Sequence, residues 1–269
     1  MPSITIAAGR LTLAAVFISP VVLLRYRSEL YALSRRDLGA AMFAGLLNGL
    51  HFITISMALE YTSVVLAQVI VGTSPIWVAL LEVTILRANF RRGLWIGLTL
   101  VITGGILIAF GASQSQTGSD PILGLFLAVI SSVTVAGYLF FGRVMRRHIS
   151  IMPYLWLVYI GGGITGLAAA FATQTSIVGY NGEAYFWLLM VTLVPQLIGH
   201  SGMNYAVGYI SATLISINGQ IIVATAGVLA FIIFGEVPAA LELAGSSVIV
   251  GGVIMAILAQ TRSRRKRQT

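Results

Sequence analysis

Ala58-Leu-Glu-Tyr-Thr-Ser63 returns in altered form as Ala206-Val-Gly-Tyr-Ile-Ser211, 148 residues further on. The offset continues without a gap, so that Ala58–Gly111 can be laid on Ala206–Ala259. Tyr61/Tyr209, Ser63/Ser211, Leu66/Leu214, Leu81/Leu229, Ile85/Ile233, Gly97/Gly245, Gly104/Gly252 and Ile106/Ile254 coincide along it. Identities alone are weak evidence between two apolar stretches. Order is the stronger sign: each block reads A-x-x-Y-x-S, apolar span, short loop, Gly-containing span. The chain is therefore read as a duplication.

What surrounds these blocks fixes their medium. Of 269 residues, 58% are apolar and 9% charged, with mean hydropathy +0.95. About a quarter of a soluble domain is charged, so a soluble enzyme or nucleic-acid binder is excluded and a polytopic membrane protein expected. Without Cys there is no disulfide, thiolate metal site or Cys nucleophile.

Nine apolar stretches approach the ~20 residues of a span: roughly 3–24, 38–58, 62–86, 93–111, 122–143, 152–172, 185–207, 211–235 and 241–259. Basic residues alternate between their loops. Arg25, Arg27, Arg35 and Arg36 follow the first span, Arg87, Arg91 and Arg92 the third, and Arg143, Arg146 and Arg147 the fifth. Arg262, Arg264, Arg265, Lys266 and Arg267 follow the ninth. The other loops carry Glu60, Asp120, Glu183 and Glu236. The positive-inside rule puts the C-terminus in the cytoplasm and the N-terminus outside. The net charge of +8 is thus read as a topology signal, and the C-terminal run as an anchor touching anionic lipid.

With this topology the third span runs inward and the eighth outward, so the halves are inverted, as in many secondary transporters. The expected fold is an all-α integral membrane protein of nine transmembrane helices in two inverted-topology repeats (4 + 5). Residues 1–112 form the first repeat, 113–120 an external linker, 121–260 the second repeat and 261–269 a basic cytoplasmic tail. The first half lacks the partner of the fifth span, which would precede Met1. Met1-Pro2 enters the first span directly, with no basic n-region or cleavage site, so it does not read as a signal peptide.

Short motifs in this order resemble the EamA-type transporters of the drug/metabolite transporter superfamily. Pro2-Ser-Ile-Thr-Ile-Ala-Ala-Gly-Arg10 is similar to the opening of that family's second helix, Ala58–Ser63 to the entry of its fourth, and Pro75 to its mid-helix proline. Phe234-Gly-Glu236-Val-Pro238 is similar to the close of its ninth helix. The resemblance implies ten helices in two inverted five-helix repeats, with the first helix absent here. It also implies transport of amino acids, other metabolites or drugs. The chain departs from the pattern at Ala88, opposite Glu236, and Val223, opposite Pro75.

Ionisable residues inside spans are expensive, about 2.5–3.5 kcal/mol on insertion scales, and are functional candidates by default. Arg10 is the one basic residue inside a span. Two readings stand: it faces a central cavity and attracts an anionic or zwitterionic group, or it snorkels outward or pairs with a helix end. His51 and His200 lie near equivalent positions of the two halves, and Asn48 and Gln196 match at the repeat offset. Gln196, His200 and Asn204 fall at i, i+4, i+8, one helical stripe. Such stripes either line a cavity, where His can relay protons, or hold helices together by hydrogen bonds. Gln68, Ser216 and Gln220 are polar positions of the third and eighth spans, where Pro75 is a helix-kink candidate. Trp77, Tyr138, Trp156 and Tyr159 are read as packing or interfacial aromatics. Glu82 is read as a solvated helix end or a partner of Arg87, and Glu236 as a cap or tether of the turn after the eighth span. Gly45/Gly49, Gly93/Gly97 and Gly162/Gly166 permit close helix packing.

No P-loop, GxSxG, HExxH or paired acidic motif occurs, so neither ATP coupling nor catalysis is expected, and no catalytic residue, metal site or cofactor is assigned. The expected function is secondary active transport by alternating access in the inner membrane. A small polar or amphipathic substrate would bind between the halves near mid-membrane, with a proton or cation as coupling ion. The expected partners are that substrate, the ion and the lipid bilayer; nucleic acid is not one. A lipid-linked substrate flippase, an intramembrane enzyme and a non-transporting truncated remnant are the competing readings.

Overall fold

A computed structural model describes residues 1–112, 119–221, 225, 232 and 240–268. Among these the secondary structure is helical, with no strand. The helices are α1 (Ser3–Arg25), α2 (Arg27–Ala32), α3 (Arg35–Tyr61), α4 (Val64–Val71), α5 (Ser74–Thr84), α6 (Arg92–Ala112), α7 (Pro121–Met145), α8 (Ile151–Ala172) and α9 (Gly182–Val191). A π-helical stretch (Thr192–His200) leads into α10 (Ser201–Val207), followed by α11 (Ala212–Gly219) and α12 (Ala240–Gln268). Among the described residues seven helical segments are long and apolar enough to cross a bilayer: Ser3–Arg25, Arg35–Tyr61, Leu66–Thr84, Arg92–Phe110, Ile122–Met145, Ile151–Ala172 and Gly182–Val207. Leu243–Ala259 is a shorter apolar helix at the expected ninth span. The eighth span, with Glu236, Val223 and Phe234–Pro238, and the linker at 113–118 lie mostly or wholly outside the described residues.

Helix starts repeat along the chain. α1 begins at Ser3 and α8 at Ile151, and α4 at Val64 and α11 at Ala212, each pair 148 residues apart.

Two proline sites depart from a plain α-helix, each for a local reason. The third span, expected as one helix, breaks at Gly72–Thr73 into α4 and α5, with Pro75 in the first turn of α5. Proline has no N–H and cannot bond the carbonyl four residues back, here Val71 O. Ser132 Oγ lies 3.5 Å from that carbonyl. The Thr73 hydroxyl donates to Ile70 O at 2.7 Å and pairs with Ser132 Oγ at 3.0 Å. The seventh span contains Pro195 inside the π-helical stretch, so the stripe expected there at α-helical spacing is redistributed. Gln196 and Asn204 are fully buried and His200 is half-buried.

The chain forms two compact units. The first contains Met1–Met57 and Val133–Ser211, the second Ala58–Ser132 and Ala212–Thr269, so each draws on both sequence halves. In the first unit α8 presents Gly161-Gly162-Gly163 to two neighbours. A Cβ on Gly45 of α3 would lie 2.6 Å from Val158 O, one on Gly49 2.8 Å from Gly162 O, and one on Gly166 2.6 Å from Ala8 Cα of α1. In the second unit α6 and α12 cross antiparallel through glycines. Gly97 backs onto Gly252 O and Gly104 onto Gly245 O, where a Cβ would sit 2.6 Å away in each case. Backbone contact this close is how helices associate in lipid, which provides no hydrophobic drive between them.

Glu82 corrects the sequence expectation. It is 2% exposed, neither solvated nor paired with Arg87. Its Oε1 accepts Ala212 N–H at 3.0 Å; its Oε2 accepts Thr213 N–H at 3.0 Å and the Thr213 hydroxyl at 2.6 Å. Those amides open α11 and have no partner within their own helix, and the positive end of the helix dipole favours the carboxylate. Glu82 and Thr213 are 131 residues apart, which concealed the pairing in the sequence.

Candidate functional site

In the first unit Arg10 of α1 meets Phe52 of α3 and Gln196 of the π-helical stretch. Arg10 Nε donates to Gln196 Oε1 at 3.0 Å. Its guanidinium carbon stands 3.9 Å from the ring centroid of Phe52, a cation–π contact. Phe52 meets His200 edge-on at 5.1 Å between centroids and His51 at 5.0 Å. Among the described residues no carboxylate lies within 4.0 Å of the guanidinium. The side chain is half-buried. It neither pairs with a helix end nor lies against an acid.

The widened turn after Pro195 sets the rest. The Tyr159 hydroxyl donates to Gln196 O at 3.2 Å and pairs with Ser201 Oγ at 2.9 Å. Asn204 Nδ2 donates to His200 O at 2.7 Å and to the Tyr138 hydroxyl. Arg143 Nη1 donates to Val207 O at 3.1 Å and Gly208 O at 3.2 Å, holding the last carbonyls of α10. Tyr138 and Tyr159, read from sequence as packing aromatics, are buried as expected. Each also supplies a hydroxyl that fixes the stripe. Phe52 was not singled out in the sequence, since an aromatic beside a His on an apolar helix carries no signal of its own.

Part of this cluster is unsatisfied. Among the described residues Asn48 Nδ2 and Oδ1, Gln196 Nε2, His200 Nδ1 and Asn204 Oδ1 are buried without a hydrogen-bond partner. Each such group costs about 1–3 kcal/mol; of these, Gln196 Nε2 belongs to the amide that holds Arg10, and His200 lies across Phe52 from it. The arrangement can accept an anionic group at Arg10 and hydrogen-bond polar atoms around it.

The second unit holds the remaining candidates. Gln68, Gly72 and Gln220 line a void of about 10 Å³ together with Val101 and Ile249, room for roughly one water. Gln220 Nε2 donates to Ser216 O at 3.3 Å, and Ser216 Oγ pairs with Ser74 Oγ at 3.1 Å. Pro75 stands at the break above them. Among the described residues no group of three His, Asp or Glu could hold a metal ion.

The sequence pattern described as "EamA-like transporter family" matches residues 1–110 and 122–258. The chain is similar to "Uncharacterized transporter YdfC" of Bacillus subtilis, 25% identical over 83% of this chain and 72% of the relative. It is similar also to "Pseudopaline exporter CntI" of Pseudomonas aeruginosa, 25% identical over 91% of this chain and 82% of that one. One solved crystal structure, 15% identical, superposes with a TM-score of 0.78 over 97% of this chain and 89% of its own. That likeness shows a shared fold.

Proposed function

From the premise that the chain belongs to the EamA-like transporter family, we propose that it is a secondary transporter of a small polar metabolite with an anionic group, working by alternating access. The observation that carries the site is Arg10: a cation inside a span, held by a ring and by a neutral amide whose own Nε2 is unsatisfied. A structural arginine in lipid would be expected to saturate its donors. Arg10, Asn48, His51, Gln196, His200 and Asn204 are the proposed binding residues in this conformation. Gln68, Ser216 and Gln220 have room for little more than a water here, so the reading of this state rests on the first cluster.

The proposed topology is nine spans as a 4 + 5 inverted repeat in the inner membrane, with a cytoplasmic C-terminus and an external N-terminus. Residues 1–112 and 121–260 would be the repeats, 113–120 an external linker and 261–269 a cytoplasmic tail. Helix starts 148 residues apart support the repeat. So does the crossed packing of Gly97 on Gly252 and Gly104 on Gly245, since 97/245 and 104/252 are repeat-related pairs. The alternation of basic and acidic loops supports the orientation. A relative named as an exporter supports export as the direction.

Uptake into proteoliposomes tests this reading against a panel of amino acids and other metabolites, with and without a pH gradient. Arg10→Ala, His51→Ala and His200→Ala are compared with the wild type. Arg10→Ala is expected to lower transport at least tenfold, the effect of a charged hydrogen bond of about 1.5–3 kcal/mol. Three variants indistinguishable from wild type on a transported compound would remove the cluster from the binding site.

A further inference from the structure

At the other end of the first unit, α1, α2, α3 and α8 line an open pocket of about 470 Å³ that the transport reading does not use. Leu23, Leu30, Leu33, Leu38 and Trp156 give it an apolar wall, and Arg27 stands among them. The Trp156 indole N–H donates to Ser19 Oγ at 2.8 Å, which fixes that wall. The pocket lies where α1 ends at Arg25 and α3 begins at Arg35 and Arg36, residues read from the sequence as flanking two spans. Tyr and Trp collect where spans meet water.

The local charge is unbalanced. Arg25, Arg27, Arg35 and Arg36 are exposed. The two acids of the same segment are engaged elsewhere: Glu29 Oε1 accepts Ser150 N–H at 2.6 Å, and Asp37 holds the His148 ring at 3.0 Å and the Ser34 hydroxyl at 2.7 Å. Arg27 stacks on Tyr31 at 5.3 Å, with Nε 3.3 Å from its hydroxyl. Among the described residues none of the four arginines is in an ion pair. An apolar pocket topped by an uncompensated guanidinium matches a molecule with a hydrocarbon tail and an anionic head. A soluble anion would gain nothing from the leucine wall.

We propose that this pocket is a binding site for an anionic phospholipid, with an acyl chain along Leu23, Leu30, Leu38 and Trp156 and the phosphate on Arg27. The site is separate from Arg10 and stands whether or not the substrate reading does.

Trp156 serves as the reporter. The full chain carrying Trp77→Phe, Trp95→Phe and Trp187→Phe is reconstituted into phosphatidylcholine vesicles doped with dibrominated phosphatidylglycerol or dibrominated phosphatidylcholine. Bromine quenches indole fluorescence at short range. The glycerol lipid is expected to associate roughly fivefold more strongly, the factor for one arginine near an anionic surface. Arg27→Gln should abolish that preference and Arg27→Lys retain part of it. Arg91→Gln, on a different loop, should leave it intact. Inorganic phosphate added at tens of millimolar should not displace the lipid. Equal quenching by the two lipids overturns the proposal, as does a preference that survives Arg27→Gln or yields to free phosphate. Native mass spectrometry of wild type and Arg27→Gln released from mixed vesicles gives a second reading. A phosphatidylglycerol adduct is expected on the wild type only, and an equal adduct on both contradicts the site.

Discussion

Glu82 and Arg10 are both ionisable side chains inside apolar helices, and their surroundings differ in kind. Glu82 receives three hydrogen bonds, two from the first amides of α11 and one from the Thr213 hydroxyl, and is shut off from solvent. Arg10 makes one hydrogen bond and one ring contact, stays half-buried, and its amide partner Gln196 keeps an unpartnered Nε2. A charge whose partners are complete holds the fold together. On the proposed reading, a charge whose partners are incomplete is placed for a ligand that arrives.

Stability separates the two most sharply. Glu82→Ala leaves two backbone amides and a hydroxyl without an acceptor, an expected loss of at least about 3 kcal/mol. The melting temperature in detergent should fall by roughly 6–12 °C, while Arg10→Ala should melt within about 2 °C of wild type. If Arg10→Ala melts as low as Glu82→Ala, the contrast fails and Arg10 is structural.

The glycine crossings come next in size. Gly97→Ala and Gly45→Ala put a methyl 2.6 Å from a neighbouring backbone oxygen and should each cost about 1–3 kcal/mol by forcing the helices apart. Gly39→Ala, with nothing within 4 Å of the added carbon, should be neutral or slightly stabilising by helix propensity. Melting curves of the three variants check this, and a neutral Gly97→Ala would contradict the close crossing of α6 and α12.

The smallest expected effect concerns Asp37, at the loop end of α3. The Ser34 hydroxyl, and after it His148, hold its carboxyl below the usual carboxylate value. A depressed folded value means the contribution is present above the unfolded pKa near 4 and disappears as pH falls through the folded value. Asp37→Asn should therefore lose slight stability at pH 7, a difference that shrinks below about pH 4 and vanishes once pH has passed below the lowered folded value. A difference that grows on acidification would reverse the assignment.

Much of the fold was legible because lipid imposes one rule on every span: a long apolar helix with charges at its ends. The starts of α1, α4, α6 and α8 fall within about three residues of the spans read from hydropathy. The small-xxx-small pairs mark real crossings. Arg10, Gln196, His200 and Asn204 were visible as candidates because polar residues are rare in such helices. Their connections were not visible. Glu82 reaches Thr213 across 131 residues and Arg10 reaches Gln196 across 186, distances at which sequence spacing carries no information. The π-helical stretch was also missed, although Pro195 was its local signal. Periodicity arguments assume 3.6 residues per turn, and Pro195 sits where the chain abandons it.

The central claim is that Arg10 serves a ligand and not the fold. The most direct measurement is transport rate per folded molecule in proteoliposomes, taken for wild type, Arg10→Lys and Arg10→Ala on preparations whose melting curves coincide. The expected result is a folded Arg10→Ala at a tenth of the wild-type rate or less, with Arg10→Lys between the two. A folded Arg10→Ala that transports at the wild-type rate would contradict it.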